Sequence, residues 1–181
     1  MRAEPLVKQI TGLLYPTEEI DLLEWSRGIL TESYGPIQRE SARYPFSYTD
    51  YYADIAPQLT RVFFSFAGLK GVCGLPDWKL TAVGCELASG VNGRRRVNID
   101  PGYIDGARLA LASTKDNAQR VYLCKGIYAE ITLCRKKQGW QSFSYTFPDF
   151  ASGLYDSFLE LVRGDWRNEI RAQKGSLQGG F

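Results

Sequence analysis

Three short segments of the 181-residue chain set an aspartate among aromatics, proline or glycine. They are Tyr48-Thr49-Asp50-Tyr51-Tyr52, Asn98-Ile99-Asp100-Pro101-Gly102-Tyr103 and Thr146-Phe147-Pro148-Asp149-Phe150. Carboxylates brought close together can hold a hard divalent cation such as Mg²⁺, or divide acid and base roles through shifted pKa values. Asp50 and Asp100 are the candidate metal ligands, and Asp50, Asp100 and Glu130 the candidate catalytic acids. Glu130 enters through Ile127-Tyr128-Ala129-Glu130-Ile131, where strand alternation places it with Tyr128 on the less apolar face. Lys115, in Ser113-Thr114-Lys115-Asp116, is the candidate anion contact. Tyr51, Tyr52, Tyr103 and Tyr128 are candidate ligand-binding walls.

Each position also has an ordinary explanation. Asp100-Pro101-Gly102 fits a helix start, with aspartate as N-cap and proline at the first helical position. Asp149 can support the helix after it in the same manner. Lys115 and Asp116 can form a solvated loop pair, Glu130 can protect an edge strand from aggregation, and tyrosines more often pack than react. Asp50 between tyrosines has no equally simple cap role.

Other chemistries are excluded by composition. The chain contains no histidine. Imidazole-dependent nucleophiles, Cys/His zinc sites and two-histidine iron sites are therefore ruled out, and neither zinc nor haem is expected. Neither GxxxxGK[ST] nor a strand-linked GxGxxG occurs, so any phosphate would need a different anchor.

The elements that must position these residues read as follows. Leu6 to Tyr15 is a strand ended by Pro16, with Thr17 as N-cap of a helix that Gly35-Pro36 terminates. Ile37 to Tyr44 is a strand broken at Pro45, and Thr60 to Phe66 is the clearest strand. A helix spans Leu75 to about Ala88, Asn92-Gly93 is a turn, and Arg95 to Asp100 is a strand. Tyr103 to about Ser113 is predicted helical. Arg120 to Leu123, Ile127 to Leu133 and Trp140 to Tyr145 are strands, the first two joined at Lys125-Gly126. An amphipathic helix begins near Ser152. The predicted fold class is α+β: a ferredoxin-like βαββαβ core with a mostly antiparallel sheet, extended by a further helix, a hairpin-type strand set and a C-terminal helix. Residues 1–174 form one domain and 175–181 a flexible tail.

The composition is that of a globular chain, 44% hydrophobic and 23% charged. A net charge of +2 is too small to indicate nucleic acid, and no apolar run approaches the length of a membrane span. The N-terminal apolar stretch lacks a cleavage site. Cys73, Cys85, Cys124 and Cys134 form no CxxC pair and read as reduced thiols of a cytoplasmic protein; a Cys73–Cys85 bridge or a reactive Cys124 is the alternative.

Taken together, Phe46 to Tyr52, Arg95 to Tyr103, Ser113 to Asp116, Arg120 to Leu123, Lys125 to Glu130 and Thr146 to Asp149 carry a resemblance. Over roughly Val7 to Arg171 the chain resembles the bacterial family known as the domain of unknown function 4416. Members are often labelled GTP-binding proteins, a label this sequence does not support because the phosphate loop is absent. The resemblance implies that Asp50, Tyr51, Tyr52, Asp100, Pro101, Gly102, Tyr103, Lys115, Tyr128 and Glu130 are family motif positions, and it supplies no reaction. The family pattern has histidine immediately before Arg120, where this chain carries Gln119. The expected function is a small-molecule-binding or enzymatic pocket at one end of the sheet. The alternatives are a non-catalytic protein-interaction or assembly domain and, behind it, a GTP or RNA binder.

Overall fold

The computed structural model describes residues 3–178 apart from 50, 51 and 53, with backbone alone over 176–178. Asp50 and Tyr51, two of the candidate site residues, lie outside the described residues. The elements in chain order are β1 (Leu6–Pro16), α1 (Ile20–Tyr34), β2 (Ile37–Glu40), β3 (Tyr44–Phe46), β4 (Leu59–Phe66), β5 (Lys70–Gly71), α2 (Leu75–Ala88), β6 (Asn98–Ile104), β7 (Arg108–Ser113), β8 (Val121–Cys124), β9 (Ile127–Lys136), β10 (Gly139–Ser142), α3 (Pro148–Ala151) and α4 (Asp156–Gln178). The fold is α+β, with a sheet ordered β10-β9-β7-β6-β1-β4-β2 and each neighbouring pair antiparallel.

β1 is an interior strand buried along almost its whole length, polar Lys8, Gln9 and Thr11 included, which explains why its sequence does not alternate between apolar and polar. Leu13 and Tyr15 face one layer with Val62, Phe64 and Ile99, where Leu22, Leu23 and Leu30 of α1 and Ala82 and Cys85 of α2 cover them. Ile10 faces the opposite layer with Phe63, Ile104 and Leu109, under Phe158, Leu159 and Val162 of α4. Helices thus lie on both faces of the sheet.

Several boundaries differ from the sequence reading. Thr17 does not cap α1; its hydroxyl lies 3.0 Å from that of Thr60, and Glu19 takes the N-cap position without a side-chain cap bond. Pro45 does not end a strand but sits within β3, paired with Thr60. There its missing N–H is tolerated because, among the described residues, β3 pairs only with β4.

The largest departure is at 103–113, predicted as helix and found as the hairpin β6–β7. Asp105 makes the turn: its Oδ1 accepts from the backbone N–H of Ala107 at 2.7 Å and of Arg108 at 2.9 Å. A side chain bonding to nearby backbone in this way competes with helix. Gly102 lets the two strands close, since a Cβ there would stand 2.3 Å from the Ala110 carbonyl oxygen. The predicted N-cap role of Asp100 falls with the helix, because Asp100 lies inside β6.

Candidate functional site

β6 pairs with β1 over Asn98–Ile104 but with β7 only over Gly102–Ile104. From Pro101 back to Asn98 the two strands part, leaving the outward backbone groups of β6 without strand partners. Two α2 side chains take their place. The Ile99 N–H donates to Glu86 Oε1 at 2.6 Å, and Lys79 Nζ donates to the Ile99 carbonyl at 2.8 Å. Pro101, two residues on, points its nitrogen to the same side by strand periodicity. A proline there leaves no donor unmade.

A cavity of about 570 Å³ opens at this fork. Its walls come from β6 (Asn98, Asp100), β7 and the loop after it (Leu111 to Lys115), Arg120, Glu130 of β9, and Lys79, Val83 and Glu86 of α2. Arg61 of β4, Phe46, Tyr48, Thr49 and Tyr52, and Phe147 to Phe150 complete them. The volume falls in the range of small-molecule sites.

Ionisable groups dominate these walls, and several are almost wholly buried: Arg61 is 3% exposed, Lys79 6%, Glu86 8%, Glu130 3% and Asp149 2%. Glu130 is held by Arg120 Nε at 3.0 Å and by the Gln119 amide at 3.2 Å. Arg120 also donates to Ser113 Oγ at 2.8 Å and to the Lys115 carbonyl at 3.0 Å, tying the post-β7 loop to β9. Asp100 accepts from Asn98 at 2.7 Å and lies 3.5 Å from both Lys79 and Arg61. Asp149 accepts from the Tyr155 hydroxyl at 3.0 Å and stands 3.8 Å from Arg61. Arg95 donates to Asn98 at 2.8 Å and approaches Glu86 at 3.4 Å. Burial raises the Glu86 carboxyl above its usual value and nearby Asp100 raises it further, against the opposing pull of Lys79, the Ile99 N–H and Arg95.

A family model matches residues 5–166. The chain belongs to the DUF4416 family, described as a domain of unknown function. No curated protein and no solved structure matches it. Every cavity-lining residue, from Phe46 to Phe150, lies within the span matched by the DUF4416 model.

Of the candidate residues, the fold brings Tyr52, Asp100, Lys115 and Glu130 to this cavity, together with Asp149. Tyr103 and Tyr128 are not among its walls. Tyr103 packs on the α2 side against the cluster of Leu75, Ala112 and Ile127. Tyr128 is further along β9 toward the β8–β9 turn, its ring 5.3 Å from that of Tyr122. Among the described residues no group of three or more His, Cys, Asp or Glu is arranged to hold a metal ion, and the Asp100 oxygens already face Lys79, Asn98 and Arg61.

Arg61, Lys79, Glu86, Arg95 and Arg120 are the site residues that the motif reading missed. Arg61 had a visible signal, a charge near the start of the apolar strand TRVFFSF. Lys79, Val83 and Glu86 had another, since spacing of i, i+4 and i+7 lines them up on one helix face. All four cysteines are free, with Cys85 buried and Cys73 and Cys124 exposed. No helix among the described residues is long and apolar enough to cross a membrane.

Proposed function

We propose that the protein binds a small polar molecule in the cavity at the β6–β7 fork. The observation that carries this reading is the convergence of buried charged side chains from separate elements on one cavity. Burying an ion costs several kcal/mol by order of magnitude, and a buried pair is often no more stable than an apolar one of the same size. A core that only had to fold would gain little from such a concentration. A binding site gains oriented donors and acceptors on rigid strands. Asp100 and Glu130 serve as acceptors held in place by their basic partners. Arg61, Lys79 and Lys115 present donors, and Phe46, Tyr52 and Phe147 give an apolar wall.

The test is native mass spectrometry of the protein taken from cell extract, beside a Thr114→Trp variant that fills the cavity mouth. The wild-type protein should carry an extra small-molecule mass that is released on denaturation and missing from the variant. Equal bare masses for both proteins would count against the proposal.

A second reading, as an interaction module, is favoured by one observation. Val121, Tyr122 and Leu123 of β8 are all exposed side by side on a strand that, among the described residues, pairs only with β9, and exposed apolar patches mark partner surfaces. The free cysteines support placing the protein in the cytoplasm. The sheet order β6-β1-β4-β2, with α1 and α2 as crossovers, supports the ferredoxin-like description of the core.

A further inference from the structure

The two exposed cysteines, Cys73 and Cys124, stand on either side of one contact between α2 and the β8–β9 hairpin. Cys124 is the last residue of β8 and pairs with Ile127 across the Lys125-Gly126 turn. Residues directly opposite in an antiparallel pair share a face, with Cβ atoms about 5 Å apart. Ile127 is buried and packs in one cluster with Leu75, the first residue of α2. The Cys124 side chain therefore projects from the face of the hairpin that meets the start of α2. Cys73 is there too, in the single 3-10 turn Val72–Gly74 that leads directly into Leu75. Beside them the Lys125 ammonium lies 2.6 Å from Asp77, in the first turn of α2. An apolar contact and an ion pair thus hold the two cysteine-bearing segments together.

The thiols also feel one another. The Glu4 carboxylate accepts from the Cys73 backbone N–H at 2.7 Å. It also takes a hydrogen bond from the Cys73 thiol, which raises that thiol above its usual value, and Cys124 adds to the rise. The interaction of two charges falls with their separation, so Cys124 acts on Cys73 as a near neighbour. The other two cysteines are placed differently. Cys85 is buried within α2, about 15 Å along the helix axis from Leu75. That is far beyond the roughly 7 Å between Cα atoms that a disulfide can span, so a Cys73–Cys85 bridge is closed off by the helix. Cys134 lies toward the far end of β9, about 20 Å of strand from Ile127.

We propose that Cys73 and Cys124 are a redox-active pair that closes to a reversible disulfide on reaction with a small disulfide oxidant such as glutathione disulfide. The step is a thiol–disulfide exchange. The Cys124 thiolate attacks one sulfur of glutathione disulfide, forming a mixed disulfide and releasing one glutathione. Cys73 then gives up its proton and attacks the Cys124 sulfur of that mixed disulfide, releasing the second glutathione. The two protein thiols lose two electrons, glutathione disulfide gains them, and the two protons end on the released glutathione thiols. Reversible bonds of this kind are the form in which disulfides serve a reducing compartment. Closure pins the start of α2, the helix that carries Lys79 and Glu86, to the hairpin that leads to Glu130.

The test treats the reduced full-length protein with glutathione disulfide and maps its disulfides by peptide mass spectrometry without reduction. The intact protein should lose the mass of two hydrogens, the bond should join the Cys73 and Cys124 peptides, and dithiothreitol should reverse both changes. Cys73→Ser should stop at a stable glutathione adduct on Cys124, while Cys134→Ser should close as the wild type does. The wild-type map needs no variant and decides the matter if one of them fails to fold. Glutathione adducts on both thiols without closure, a bond to Cys85 or Cys134, or a disulfide between two molecules would overturn the pairing. So would the absence of any reaction.

Discussion

The Glu86 carboxylate and the Ile99 backbone are joined by a 2.6 Å hydrogen bond that crosses from α2 into the sheet. It stands where a β7 partner would otherwise be, and with the Lys79 bond to the Ile99 carbonyl it allows β6 and β7 to separate without orphaned backbone groups. The fork and the cavity beside it thus depend on two charged residues in the interior.

Because burial holds the Glu86 carboxyl above its usual value of 4.5, the native state binds that proton more tightly than the unfolded chain. The group's contribution to stability is then largest below the usual value and is lost as pH rises through the raised native value. Glu86→Gln keeps an oxygen for the Ile99 N–H and cannot titrate. Urea unfolding across this range should show a weaker fall of stability with rising pH for the variant than for the wild type.

Arg120 and Glu130 form a buried ion pair at 3.0 Å, with side-chain exposures of 8% and 3%. Removing one partner of such a pair leaves an uncompensated charge and costs about 3–5 kcal/mol. Glu130→Ala and Arg120→Ala should each lose that order of stability in chemical denaturation. The double variant should lose much less than the sum of the two, the signature of direct coupling.

Gly102→Ala places a Cβ 2.3 Å from the Ala110 carbonyl oxygen and 2.6 Å from a Leu111 methyl. Backbone cannot yield as a flexible side chain can, so the cost should reach or exceed the roughly 1–3 kcal/mol typical of overpacking. Gly84→Ala on α2 meets nothing within 4 Å and should be neutral or slightly stabilising, since alanine is the better helix former. Thermal melts of the two variants make the comparison.

Tyr52 lines the cavity and Tyr128 does not. Tyr52→Ala should weaken occupancy by the bound molecule, and Tyr128→Ala should leave it unchanged, as read by native mass spectrometry. Loss of occupancy in Tyr128→Ala alone would move the site to the β8–β9 hairpin.

Much of this was legible in the sequence, for definite reasons. β1, β4 and α2 announced themselves through apolar runs and through Pro76 at a helix start. Lys125-Gly126 marked a hairpin whose turn residues both take positive φ, 54° and 75°, the backbone a two-residue turn requires. The stretch 103–113 misled because Leu109, Ala110, Leu111 and Ala112 read as helix formers, while tertiary pairing and the Asp105 turn dictate strands. β7 has buried residues on both faces, so alternation gave no warning. Asp100, a candidate carboxylate with a helix cap as its ordinary alternative, lies inside a splayed strand and caps nothing. The buried basic residues stayed hidden because a lone arginine or lysine reveals its burial only when distant segments meet around it. Gln119 donates to Glu130; its neighbourhood became readable only in three dimensions.

The cavity as the ligand site is the central claim. Its most direct test is amide NMR of the labelled protein, titrated with the small-molecule fraction of a cell extract. Saturable shifts confined to 98–100, 111–115, 120 and 130 are the expected result. Shifts centred instead on Val121 to Cys124 of β8, or none at all, would contradict it.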